Sequence, residues 1–317
     1  MNASTSEPAV VAERLVKRFG AVTALDGVSL QVATGELFGL IGPDGGGKTT
    51  LLRILTTLLV PDAGSARVLG MDVVRDLWAL RQRVGYMPGR FSLYPDLSVD
   101  ENLRFFASVF GTTVANERAR IASIYDQLAP FGDRRASALS GGMKQKLALC
   151  CALVHRPDVL FLDEPTTGVD AVSRRELWDL LGGLRADGLT TVVSTPYMDE
   201  AQRCDRVALV QRGALLAVDA PAAVAGSLGR PLLGVRARDR YATLRALRAF
   251  PHVQAAYPFG EALHYTDARD DAPAGQVARE LTTFLHAHGA ADATVADATP
   301  TIEDVFIARM GASEAAA

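Results

Sequence analysis

The chain has 317 residues, of which 49% are hydrophobic and 22% charged, with a formal net charge of -3 at pH 7. This composition suffices for a packed core and is typical of one large globular domain, with or without a smaller appendage. The small net charge and the lack of a long lysine or arginine block argue against a nucleic-acid partner. Three cysteines without a Cys-x-x-Cys pair indicate neither a disulfide framework nor a metal cluster.

The start of the chain predicts no targeting segment. Residues 1–8 lack the basic and apolar regions of a signal peptide and are expected to form a disordered N-terminus. No apolar run reaches the roughly 18 to 20 residues that span a bilayer. We therefore expect the protein to stay in the cytosol.

Residues 9–225 alternate strand-like and helical segments, which indicates an α/β domain with a largely parallel sheet. Within this domain, residues 75–157 form a long insert that is mostly helical in its periodicity. A capping box, with Ser98 at the N-cap and Glu101 three residues later, opens one helix of that insert. The predicted buried strands are Leu37–Ile41, Val159–Leu162, Thr190–Ser194 and Val207–Val210.

The most specific motif directly follows the first of these strands. It has the spacing of a phosphate-binding P-loop and comprises Gly42, Pro43, Asp44, Gly45, Gly46, Gly47, Lys48, Thr49 and Thr50. Glycines let successive N–H groups point at phosphates, and the helix predicted over residues 48–59 presents its positive N-terminal end to the same anion. Lys48 is predicted to bridge the β- and γ-phosphates, and Thr49 to hold Mg²⁺. The alternative is a glycine-rich turn with an incidental lysine.

A second candidate anion site opens a helix that is predicted to run to His155. Its first residues, a serine N-cap and two glycines, leave the helix start bare of side chains, so an anion could approach it. An ordinary capped helix is the alternative. The segment comprises Leu139, Ser140, Gly141, Gly142, Met143, Lys144 and Gln145.

Two acids end the predicted strand that follows this helix. Asp163 is predicted to lie near Mg²⁺, and Glu164 near the attacking water as a general base. Many strands end in acidic turns, so this motif alone is weak evidence. It indicates a nucleotide site only because the P-loop is also present.

Residues 226–317 read as a small α+β accessory domain. His286 and His288, near the end of its second helix, are predicted to be surface or boundary residues rather than ligands. The predicted elements are a strand over Leu232–Arg236, a helix over Tyr241–Phe250, a hairpin over Val253–Thr266 and a helix over Val277–His288.

Together these motifs resemble the ATP-binding subunits of ABC transporters over residues 9–220. Residues 42–50 resemble the family's Walker A loop, 139–145 its signature motif, 159–164 its Walker B strand and 167–170 its D-loop, which ends in Asp170.

The resemblance implies a P-loop NTPase fold of ABC type that hydrolyses ATP with Mg²⁺ and works as a head-to-tail dimer beside a membrane permease. It further implies that Asp170 lies across the dimer interface. Phe19 lies where the family places an aromatic that stacks on adenine; a core phenylalanine is the alternative.

The segment from Thr299 to Phe306 is similar to the C-terminal end of the daunorubicin-resistance group of antibiotic and multidrug efflux ATPases. These subunits pair with separate permeases of the second ABC exporter class. The resemblance therefore implies a chain that is peripheral to the inner face of the cell membrane.

Two positions depart from the family pattern. Gly89 stands where the family has the Q-loop glutamine, and Pro196 stands where it has the switch histidine. Loss of one group that stabilises developing charge commonly costs about two to three orders of magnitude in rate. We therefore predict slow hydrolysis in this chain's own site and a heterodimer with a second, competent ATPase subunit. Asp44, where the family often has asparagine, adds an acid near the phosphates.

Two other functions stay open at this point. A non-hydrolysing regulatory module would suit Gly89 and Pro196 but has little use for Glu164. A soluble ABC ATPase that acts on ribosomes or DNA is disfavoured, since the chain has neither a second ATP domain nor a long coiled coil between residues 50 and 139.

Overall fold

The computed structural model describes residues 7–90 and 92–315. Most of the predicted disordered N-terminus lies outside the described residues. The chain divides into two compact units, the first ending at Pro221 and the second beginning at Ala222.

Strands and helices alternate along the first unit. Its strands are β1 (Val10–Phe19), β2 (Val22–Val32), β3 (Leu37–Ile41), β4 (Ala63–Val68), β5 (Met71–Asp72), β6 (Val84–Met87), β7 (Val159–Asp163), β8 (Thr190–Thr195), β9 (Arg206–Gln211) and β10 (Ala214–Asp219). Its helices are α1 (Lys48–Leu55), α2 (Leu77–Arg81), α3 (Val99–Val109), α4 (Val114–Tyr125), α5 (Gly141–Leu153) and α6 (Ala171–Ala186), and α7 (Pro221–Gly226) begins at the unit boundary.

Two sheets build this unit. One has six strands in the order β10-β9-β3-β8-β7-β6, all parallel except β10, and the other has four antiparallel strands in the order β2-β1-β4-β5. Every residue of β3, β7 and β8 is buried, as expected for parallel strands covered on both faces. The predicted parallel sheet is therefore confirmed. The antiparallel sheet was not predicted.

The register of the parallel strands brings the motifs to one edge of the sheet. Ile41 pairs with Thr195, and Asp163 pairs with Ser194, at the carboxyl ends of β3, β7 and β8. The P-loop and the acidic pair follow these strand ends directly. Residues more than a hundred positions apart therefore meet at this edge, the usual place for a ligand in an open α/β sheet.

One helical prediction needs correction in the first unit. Helix α1 ends at Leu55 rather than Leu59, because Thr57 takes the left-handed conformation with φ 64°. The segment after Pro196 forms a short 3₁₀ helix, Met198–Arg203. The insert is mostly helical, as predicted, but it also carries β6, which pairs with β7 in the main sheet. The capping box at Ser98 and Glu101 is confirmed.

The second unit is an antiparallel sheet with helices. Its elements are β11 (Leu232–Arg236), α8 (Arg240–Ala249), β12 (Val253–Phe259), β13 (Ala262–Asp267), α9 (Ala274–Ala287), β14 (Thr294–Asp297) and α10 (Ile302–Ala315), with the strand order β12-β13-β11-β14. The strand predicted over Leu232–Arg236 is confirmed. His286 and His288 are exposed, as predicted.

A buried carboxylate anchors the first turn of α10. Asp304 is fully buried and accepts hydrogen bonds from Tyr257 (2.7 Å), from His264 Nδ1 (2.6 Å) and from the backbone N–H and hydroxyl of Thr301 (2.7 Å each). Burial raises the pKa of Asp304, but these hydrogen bonds together lower it below its usual value.

Candidate functional site

Close backbone approaches shape the P-loop between β3 and α1. A Cβ atom on Gly42 would lie 2.0 Å from the carbonyl oxygen of Val210, so no larger residue fits at this position. Gly47 has φ 109°, and a Cβ there would lie 2.5 Å from the carbonyl oxygen of Ala24. Both positions therefore require glycine for steric reasons.

Lys48 lies at the centre of the loop. Its ammonium group donates to the carbonyl oxygens of Gly42 (2.7 Å) and Pro43 (3.0 Å) and lies 3.3 Å from Glu164 Oε1. The side chain is 2% exposed. A buried cation beside the N-terminus of α1 is the electrostatic arrangement that binds phosphate.

Thr49 and Asp163 face each other across the loop. The threonine hydroxyl donates to Asp163 Oδ1 at 3.0 Å. A hydroxyl and a carboxylate are oxygen ligands of the kind that Mg²⁺ takes beside a nucleotide, so this pair fits the ion. Thr50 is half-buried in the first turn of α1, whereas Asp44 is exposed.

Glu164 adopts an unusual backbone conformation at the end of β7. Its φ of 52° lies in the left-handed region, which residues other than glycine rarely adopt. Its backbone N–H donates to both the carbonyl oxygen (3.1 Å) and the hydroxyl oxygen (3.0 Å) of Ser194. Its carboxylate lies near Lys48 and, at 3.4 Å, the hydroxyl of Thr167. This carboxylate is therefore held beside the lysine of the P-loop.

The two positions that depart from the family pattern border this acidic pair. A Cβ atom on Gly89 would lie 2.9 Å from the carbonyl oxygen of Asp163, so the chain passes too close there for a side chain without a backbone shift. Pro196 is half-buried and directly follows Thr195, whose carbonyl oxygen accepts from the N–H of Gly42 at 3.3 Å. Neither residue presents a polar side-chain group to the site.

A buried network holds the chain around Pro196. Glu200 is 3% exposed, and its Oε2 accepts hydrogen bonds from the hydroxyls of Thr195 (2.5 Å) and Thr166 (3.1 Å). Arg174 of α6 lies 3.4 Å from the other carboxylate oxygen and packs over the ring of Tyr197.

The signature segment forms the start of α5. Ser140 caps this helix by accepting a hydrogen bond from the N–H of Met143 at 3.3 Å, and both Ser140 and Gly141 are exposed. A Cβ atom on Gly142 would lie 2.3 Å from the hydroxyl of Ser173 in α6. Leu139 is buried, and the side chains of residues 143–145 are half-buried. The start of α5 is therefore exposed at Ser140 and Gly141, and the binding of an anion there stays a prediction.

Asp170 and Phe19 are two further residues that the sequence predicts to belong to the site. The Asp170 carboxylate caps α6 by accepting from the N–H groups of Val172 and Ser173 and from the Ser173 hydroxyl. Phe19 ends β1 and is 51% exposed, which contradicts the alternative of a core phenylalanine. Its stacking on adenine stays a prediction.

Sequence reasoning missed Ser194 and Tyr86. Ser194 touches both acids of the pair, and burial, followed by the nearby Asp163 carboxylate, raises the pKa of Tyr86 to about 12. A serine near a strand end and a tyrosine within a strand carry no motif. Only the pairing of β7 with β6 and β8 places them beside Asp163.

An apolar cleft of about 490 Å³ opens on the first unit, with Tyr86 and Met87 among the residues that line it. Its rim carries exposed hydrophobic residues, with Trp78 75%, Val109 58% and Leu58 55% exposed. Further in, His155 stacks on Phe110 with ring centroids 3.7 Å apart. Burial lowers the pKa of His155, since it disfavours the charged imidazolium.

Fold and site together define a P-loop nucleotide-binding protein. Residues 25–167 match the ABC transporter family model. The chain is 36% identical over 310 residues to the Nod factor export ATP-binding protein I of Ralstonia nicotianae, covering 96% of this chain and 95% of that protein. It is 40% identical over 215 residues to the daunorubicin resistance ATP-binding protein DrrA3 of Streptomyces coeruleorubidus, covering 67% of this chain and 68% of that protein.

Another relative is longer than this chain. The Escherichia coli protein named a probable multidrug ABC transporter ATP-binding protein, YbhF, is 44% identical over 217 residues, but the match spans only 38% of its length and 68% of this chain. Among solved structures, a dimeric ATP-binding cassette bound to ADP and Pi superposes with a TM-score of 0.60 at 26% identity, covering 67% of this chain and 98% of that cassette.

The chain belongs to the ATP-binding proteins of ABC transporters. The predicted P-loop fold and the resemblance to drug and antibiotic export ATPases are confirmed. Among residues 7–90 and 92–315, no helix is long and apolar enough to cross a membrane.

Proposed function

We propose that this chain is the ATP-binding subunit of an exporter for drugs or antibiotics and works with a separate permease at the inner face of the cell membrane. The names of its relatives support export, since they include multidrug, daunorubicin-resistance and Nod factor export proteins. The apolar cleft rimmed by Trp78, Val109 and Leu58 supports a protein partner, since exposed apolar patches commonly mark interaction sites. We assign this cleft to the permease.

In this proposal the P-loop binds ATP through its backbone N–H groups and Lys48. Thr49 and Asp163 hold Mg²⁺, which neutralises phosphate charge when bound. Glu164 orients and deprotonates the attacking water. The 3.3 Å contact between Glu164 and Lys48 supports this role, because it places the base within reach of the group that binds the terminal phosphate.

We further propose that this chain's own site turns over slowly. The observation that carries this proposal is the backbone approach at Gly89, where a Cβ would lie 2.9 Å from the carbonyl oxygen of Asp163. The loop therefore has no room for a glutamine in its present course. With Pro196 in place of the histidine, two groups that would stabilise developing charge are missing together.

A second ATPase subunit completes the proposal. Ser140, Gly141 and Gly142 retain the signature pattern, and the first two are exposed. In the head-to-tail arrangement implied for this family, they serve the partner's site rather than this chain's own. We therefore favour a heterodimer in which a competent partner hydrolyses ATP against this signature.

The test is steady-state ATP hydrolysis by the purified subunit beside its Glu164→Gln variant, after both are shown to bind nucleotide. We expect binding with very low turnover, and a rise in turnover when a competent partner ATPase is added. Brisk turnover that Glu164→Gln abolishes would refute the slow site and favour a homodimeric motor. Binding without turnover under every condition would instead favour a regulatory module.

A further inference from the structure

Ser194 connects the two acidic residues of the site. It lies near the end of β8, is fully buried, and pairs in register with Asp163 of β7. Its hydroxyl group donates to Asp163 Oδ1 at 2.7 Å and accepts from the Glu164 N–H at 3.0 Å. We propose that Ser194 is a positioning residue that orients the Asp163 carboxylate for Mg²⁺-ATP and fixes the backbone of Glu164.

Two hydrogen-bond donors hold the Asp163 carboxylate. Within the described part of the chain, both side-chain hydrogen bonds to Asp163 reach Oδ1, one from Ser194 and one from Thr49 at 3.0 Å. Two donors on one oxygen fix the rotation of the carboxylate group and leave Oδ2 as the less engaged oxygen. Removal of the serine hydroxyl loosens this rotation, because only the Thr49 hydroxyl of these two donors then remains.

Ser194 also restrains the backbone of Glu164. A glutamate with φ 52° is strained, and such a conformation persists only where its surroundings over-determine it. The carbonyl and hydroxyl oxygens of Ser194 both accept from the Glu164 N–H, at 3.1 Å and 3.0 Å. One side chain therefore restrains both members of the acidic pair.

Thr191 provides a matched control on the same strand. It is also fully buried, but its hydroxyl oxygen has no hydrogen-bond partner in the described part of the chain. Thr191→Val therefore removes a buried hydroxyl from β8 without removing a contact to the site. Ser194→Ala removes the hydroxyl that bridges the acids, and Ser194→Thr retains it.

The experiment compares ATP affinity in Mg²⁺ with that in EDTA for the full chain, by titration calorimetry, for the wild type and these three variants. The inference rests on the Mg²⁺ role proposed for Asp163. We expect Ser194→Ala to reduce the gain in affinity on adding Mg²⁺ by about tenfold, with affinity in EDTA unchanged. Thr191→Val should keep the wild-type gain, and Ser194→Thr should restore it.

Hydrogen exchange adds a readout for Glu164. We expect its amide to exchange faster in Ser194→Ala and at the wild-type rate in Thr191→Val. The inference would be overturned if Ser194→Ala showed the wild-type gain in ATP affinity on adding Mg²⁺, or if Thr191→Val lost as much of that gain as Ser194→Ala. Either result would leave the proposed role of Asp163 standing. If Mg²⁺ did not raise the ATP affinity of the wild type, both the inference about Ser194 and the proposed role of Asp163 would be overturned. If the extra methyl of Ser194→Thr prevents folding, the Ser194→Ala and Thr191→Val pair decides the outcome.

Discussion

Restoring the two family residues tests why the site is expected to be slow. We expect Pro196→His alone to raise kcat about 10²-fold, because it supplies a charge-stabilising group at a half-buried position. For Gly89→Gln, we expect kcat to rise about tenfold at most. Its Cβ would lie 2.9 Å from the carbonyl oxygen of Asp163, so the loop must shift, and a misplacement of about 1 Å can cost about 10²-fold in rate.

The same crowding gives a stability prediction for Gly89→Gln. Overpacking typically costs about 1 to 3 kcal/mol, which corresponds to a fall in Tm of about 2 to 12 °C for a domain of this size. Gly89→Ala is the matched control, because it adds the same Cβ without the amide. It should lose similar stability and gain no activity.

The assays are steady-state phosphate release and thermal unfolding of the purified chain. The reasoning would be refuted if Gly89→Gln alone gave brisk turnover at wild-type Tm. Such a result would mean that the loop accommodates a side chain freely, and that the missing amide alone limits the rate.

Three further predictions concern binding and stability. Lys48→Ala should weaken ATP binding at least about 100-fold in titration calorimetry, since the buried ammonium supplies charge-assisted hydrogen bonds of about 1.5 to 3 kcal/mol each. Near-normal affinity would contradict the proposal that Lys48 binds the phosphates of ATP. Asp304→Ala should destabilise the second unit by about 3 to 5 kcal/mol in urea unfolding, because Tyr257, His264 and Thr301 lose a buried acceptor. A loss below about 1 kcal/mol would show that the hydrogen-bond network rearranges. Because the pKa of Asp304 is lowered on folding, its contribution to stability should be fully present above about pH 4 and disappear as pH falls through the folded-state pKa. The urea midpoint of the wild type should therefore fall over that pH range, and the midpoint of Asp304→Ala should fall less.

Features that depend on local sequence pattern could be predicted without the structure. Buried runs gave the strands Leu37–Ile41 and Leu232–Arg236 with the bounds seen in the structure, and the capping box at Ser98 and Glu101 formed as predicted. Such features follow from side-chain periodicity and backbone capping within a few residues. The P-loop could be located for the same reason, since its spacing reflects the steric needs of one short turn.

Contacts between residues that are distant in the chain could not be predicted in this way. The antiparallel sheet that joins β1 to β2 and β4, and the bond from Ser194 to Asp163 across 31 positions, depend on strand order and register. A polar residue such as Asp304, 40 positions from His264, also gives no local sign that it will be buried with its partners. Pairing between strands is set by the packing of the whole core, because a shift of one residue would turn every side chain to the opposite face.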